Sequence, residues 1–178
     1  MDASELLRVA LADLHKELLE DIADLDEAAL FWQPSAGVNH AGFLFFHVVR
    51  DEDTVLSQSV LRQGELWSRE GWFERLGMDG REQGTGFDRS ALAGFRYSFP
   101  AFIEYARAVW RQTDETLSAM DPGRLDERLN WSEEWKLANL FDHRLSVPRL
   151  GAPGRDPPAP RAAGLGVPRV VAGKEPPP

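Results

Sequence analysis

Asn39-His40-Ala41-Gly42-Phe43-Leu44-Phe45-Phe46-His47-Val48-Val49-Arg50-Asp51 is one of the most apolar stretches of the chain, and an ionisable imidazole, His47, stands inside it. A second run, Trp135 to Leu145, carries His143 near its end. Burial disfavours a charged imidazole, so histidines on two apolar helices are expected to be neutral, which is the form that binds metal ions. Asn39 is a fair N-cap for a helix that runs to about Gln63 and is closed by Gly64.

Working outward, the segment before this helix carries Leu7, Leu11, Leu14, Leu18, Ile22 and Leu25 at spacings of three or four, which predicts an amphipathic first helix. Asp2 and Glu5 make a capping box at its start. Pro34 and Gly37 break the pattern before helix two. After it, Glu65 to Leu76 reads as one short amphipathic helix across an end of the molecule. Its Trp67 and Trp72 are read as core packing or as part of a pocket lining. A Gly-rich polar stretch from Gly77 to about Gly94 is long enough to cross from one end of a bundle to the other. Gly84-Thr85-Gly86-Phe87 lacks the Lys-Ser/Thr ending of a phosphate loop and is read as a flexible turn. Phe99, Phe102, Ile103, Ala106, Val109, Trp110, Thr113, Leu117 and Met120 mark a third helix that stops before Pro122. Ser132 caps an expected fourth helix, Glu133 to about Ser146. With no β-type alternation of useful length, the class is all-α: a four-helix bundle with a long crossover between helices two and three.

Composition limits the partners. The 178 residues suit one domain, and the formal charge of −9 disfavours nucleic acid, whose binding rests on neutralising phosphates, and an anionic membrane surface. The chain has no cysteine, so imidazole and carboxylate are the strong metal ligands it offers. The start Met1-Asp2-Ala3-Ser4-Glu5-Leu6-Leu7 does not read as a secretory leader, and a cytoplasmic address is expected.

The last stretch breaks with the rest. From Val147 to Pro178 lie nine of the 12 prolines, five glycines and a net charge of +3, which leaves −12 on the first 146 residues. A domain over 1–146 and a disordered Pro/Gly-rich tail over 147–178 are expected. The tail interrupts a helix and is rich in the residues of GC-rich codons, as DNA read out of frame would be.

Gly42-Phe43-Leu44-Phe45-Phe46-His47-Val48-Val49-Arg50-Asp51-Glu52-Asp53, Gly71-Trp72-Phe73-Glu74-Arg75-Leu76-Gly77 and Leu137-Ala138-Asn139-Leu140-Phe141-Asp142-His143, laid out in this order, resemble the DinB-like superfamily over roughly residues 3–146. The resemblance implies a four-helix bundle that holds a divalent metal with one histidine on helix two and an H-x-x-x-H pair on helix four. His47 matches the first ligand and His143 the first of the pair; the second position is Val147, which cannot ligate. Residues four apart on a helix share a face. Asp51, one turn beyond His47, is therefore a substitute ligand, a partner that orients a histidine, or a solvated acid beside Arg50.

Family likeness further implies a metal-dependent transferase or hydrolase acting on a small molecule, with a low-molecular-weight thiol; nitrogen and oxygen ligands without sulfur suit zinc, nickel or iron, and the assembly is left open to a homodimer. The missing third imidazole points to an impaired ion site. The alternative is a non-catalytic helical bundle, a truncated relative without activity; no catalytic residue is assigned. His15, between Leu14 and Lys16, is read as exposed, and His40 as a surface residue at the start of helix two.

Overall fold

The computed structural model describes residues 1–80, 89–129 and 136–139. Asp2 opens α1 (Ala3–Ala23) by accepting the Glu5 amide at 2.9 Å. Only half of the expected capping box forms, because the Glu5 carboxylate turns instead to Arg8 at 2.9 Å. The buried face of α1 is Ser4, Leu11, His15, Leu18 and Ile22, so the expectation that His15 is exposed is wrong: it falls in step with the leucine stripe. A single turn, α2 (Glu27–Leu30), is capped by Asp26 through the Ala29 amide at 2.8 Å.

Helix α3 (Ala41–Val55) is nucleated by His40 rather than Asn39, since the Phe43 amide donates to His40 Nδ1 at 2.9 Å. It does not run on to Gly64. A π-helical turn, Leu56–Leu61, ends at Arg62 in the left-handed region (φ 54°), and the Gln63 amide closes on the Ser57 carbonyl at 2.9 Å. The segment Glu65 to Leu76 is two helices, α4 (Leu66–Arg69) and α5 (Trp72–Leu76), because Gly71 takes a left-handed conformation (φ 65°) that an L side chain resists. The far part of the connection, Arg89–Gly94, is a 3₁₀ turn that buries Leu92. The α6 helix (Phe99–Ala119) has Pro in its first turn and ends before a 3₁₀ turn, Pro122–Asp126.

The described residues are helical and contain no strand; one isolated bridge joins Arg128 to Lys136. Helix α6 packs on α1, α3, α4 and α5. The larger core gathers Ile22, Phe45, Phe46, Trp67, Phe102, Tyr105 and Val109, and the smaller one Leu11, Leu56, Leu117, Leu125 and Leu137. Fully burying each large apolar side chain contributes about 1.5–3 kcal/mol. Trp67 and Trp72 both belong to the larger core. Residues 136–139 of the expected fourth helix are described, and Leu137 joins the smaller core; the other residues of that helix, the Gly84–Phe87 turn and the tail from Val147 lie outside the described residues. Among the described residues no helix is long and apolar enough to cross a membrane.

Candidate functional site

Three residues at successive turns of α3, Phe43, His47 and Asp51, run along one flank of the helix. Phe43 lies parallel to the His47 ring, with centroids 6.4 Å apart and planes at 6°. His47 and Asp51 are half-buried, and His47 Nδ1 is enclosed. Rotamer freedom at His47 is thus narrowed by an aromatic neighbour, which suits a ligand held in one orientation.

The acids that follow Asp51 serve a different purpose. Glu52 turns to α1 and α6: its Oε2 accepts from His15 Nε2 at 2.9 Å and its Oε1 from the Thr113 hydroxyl at 2.5 Å. The His15 ring also stacks on Trp110 at 4.6 Å and 14°. The result is a buried polar tie across three helices. Asp53, fully buried, accepts from the Leu66 amide at 3.0 Å, the Trp67 amide at 2.9 Å, the Ser57 hydroxyl at 3.0 Å and the Tyr105 hydroxyl at 2.7 Å. It therefore caps α4 from another helix, offering a carboxylate to the positive end of that turn. Arg50 is fully buried beside it; the guanidinium donates to Glu65 at 2.8 Å and to Tyr105 at 3.0 Å, and lies 4.5 Å above the Trp67 ring. Burial, then the adjacent Asp53 charge, holds the Tyr105 hydroxyl protonated well above the ordinary phenol range.

Neither network was foreseen from the sequence. His15 could have been, since it sits four residues from Leu11 and three from Leu18 on the apolar face. Glu52 and Asp53 leave a weaker mark: three successive acids step about 100° each around a helix, so they cannot share one exposed side.

Of the expected ligands, the structure describes His47 and Asp51 and places them one turn apart; His143 lies outside the described residues. Among the described residues no three His, Asp or Glu side chains gather as a metal-holding group. Taken alone they do not fit an ion, because tetrahedral and facial sites need three protein donors.

The DinB superfamily family model matches residues 10–162. A crystal structure of a conserved protein from Enterococcus faecalis superposes with a TM-score of 0.68 at 18% identity, covering 82% of this chain and 90% of that one. At that identity the likeness shows a shared fold. No curated protein matches.

Proposed function

The chain belongs to the DinB superfamily, and from that premise we propose that it is a metal-dependent protein of the transferase or hydrolase class with a reduced ion site of His47, His143 and Asp51. The observation that carries the reading is the placement of His47 and Asp51 on one half-buried flank of α3, while the neighbouring acids are committed elsewhere. Asp51 lies one turn beyond His47 on the same flank, whereas Glu52 and Asp53 turn to other elements, so Asp51 is the carboxylate of this helix placed to join His47. Val147 supplies no donor at the family's remaining position. Two imidazoles and one carboxylate hold an ion less firmly than three imidazoles braced by a fixed outer shell. Binding is therefore weak and catalysis on a small-molecule substrate, with a thiol as co-reactant, is impaired.

A second reading is favoured by the same commitments: with Glu52 and Asp53 tied into the scaffold, the chain is a non-catalytic bundle. Equilibrium dialysis of the full chain against zinc separates the two. The proposal predicts uptake that a mild chelator reverses and that His47→Ala and Asp51→Asn each weaken roughly tenfold or more. Stoichiometric zinc that survives a strong chelator, or uptake indifferent to His47→Ala, would overturn it. No uptake at any concentration would establish the non-catalytic reading.

A further inference from the structure

His40 holds the start of α3 with both ring nitrogens. Nδ1 accepts the Phe43 amide at 2.9 Å, so it carries no proton; Nε2 donates to the Leu92 carbonyl at 3.3 Å. The ring is 1% exposed. Phe31 lies edge-on to it at 5.3 Å, Phe43 at 6.3 Å, and Phe95 lies tilted at 6.1 Å. It therefore joins four pieces of chain: the end of α2, the first turn of α3, the 3₁₀ turn at Arg89–Gly94 and Phe95 just after it. We propose that His40 is an acid-sensitive latch, whose protonation releases the first turn of α3 from the Leu92 segment.

The chemistry follows from the geometry. An imidazolium has two N–H donors and no acceptor, so the protonated ring faces the Phe43 amide donor to donor. The cap is lost, the amide is left buried without an acceptor, and the ring must leave its aromatic enclosure to be solvated. Among the described residues, the groups that face His40 offer the cation no compensation. Phe31, Phe43 and Phe95 are apolar, the Leu92 carbonyl is already used by the neutral ring, and the charged neighbour is Arg96, whose guanidinium donates to the Phe95 carbonyl at 2.7 Å and lies 4.9 Å over the Phe31 ring. Burial, with a smaller repulsion from Arg96, outweighs the Leu92 hydrogen bond and holds the His40 pKa below the ordinary imidazole value. The sign follows: the folded form binds the proton less readily than the opened form. Stability at this junction is complete above the unfolded pKa, about 6.5, and falls as the pH drops toward the folded value. An asparagine would cap the helix equally well without titrating. The latch does not depend on metal binding at His47.

Amide hydrogen exchange on the full chain tests it. The protection factor at Phe43, taken relative to Val109 in α6, should fall roughly tenfold between pH 7.5 and 5.5. In His40→Asn it should stay flat. An equal fall in His40→Asn, parallel loss at Phe43 and Val109, or no fall in the natural chain would overturn the latch. Should His40→Asn not fold, the natural chain alone decides: protection at Phe43 must begin to fall near about pH 6.5 and level off where the His40 ring of the folded chain titrates by NMR, and a fall that continues unchanged below that titration, or none above it, would refute it.

Discussion

Asp53 shows how one buried carboxylate can organise a neighbourhood. Its oxygens take the Leu66 and Trp67 amides and the Ser57 and Tyr105 hydroxyls, while Arg50 lies fully buried alongside. Asp53→Ala would strand those donors and leave a buried guanidinium short of a counter-charge, a loss of about 3–5 kcal/mol. Urea denaturation should show it, and a loss below about 1 kcal/mol would contradict the network. The His15–Glu52 pair is a gentler case, since an apolar replacement of both partners removes the polar atoms along with their needs. His15→Leu with Glu52→Leu should cost less than the two single changes added together, by about 0.5–3 kcal/mol in a double-mutant cycle. Additive costs would mean that the 2.9 Å contact does not couple them. At this scale the sequence was legible by register and misleading by neighbourhood. His15 looks exposed beside Lys16, yet the spacing from Leu11 and Leu18 puts it in the core.

Helices α1 and α6 follow their apolar stripes almost to the residue, because burial of a continuous face dominates their energetics. The ends of α3 were harder to read. Asn39 and His40 both carry a cap acceptor, and packing against Phe31, Phe43 and Phe95 selects His40. At the other end a π turn and a left-handed Arg62 stop the helix before the glycine that marks its sequence boundary. Short helices obey local backbone demands more than periodicity, which is why Gly71 divides Glu65–Leu76 into α4 and α5. The approach of α2 to α3 rests on a missing side chain: a Cβ on Gly42 would meet the Phe31 ring at 2.7 Å and Leu30 at 3.2 Å. Gly42 also lends its carbonyl to the Tyr97 hydroxyl at 2.8 Å. Gly42→Ala should push the two helices apart and cost about 1–3 kcal/mol. Thermal unfolding measures this, and a neutral or stabilised variant would show that the ring moves aside freely.

Across the whole molecule, the all-α class and the family were readable because helical periodicity and the α3 sequence are strong signals. The proposed ion site was legible only as a pattern implied by the family resemblance, since His143 lies outside the described residues and Val147 stands at one of the family's positions. We propose that the change of composition at Val147 reflects a shifted reading frame. Translating the DNA beyond the Leu145 codon in the other frames should then yield a histidine near position 147 and an amphipathic helix; stop codons in both frames would refute the idea. The central claim is that the Phe43–His47–Asp51 flank of α3 is where this bundle meets a metal ion. Paramagnetic NMR during titration of the full chain with cobalt(II) tests it most directly. The account predicts the strongest broadening at His47 and Asp51 at high micromolar ion, with His15 and His40 less affected because His15 Nε2 is held by Glu52 and both His40 nitrogens by Phe43 and Leu92. Broadening centred on His15 or His40, with His47 unchanged, would contradict it.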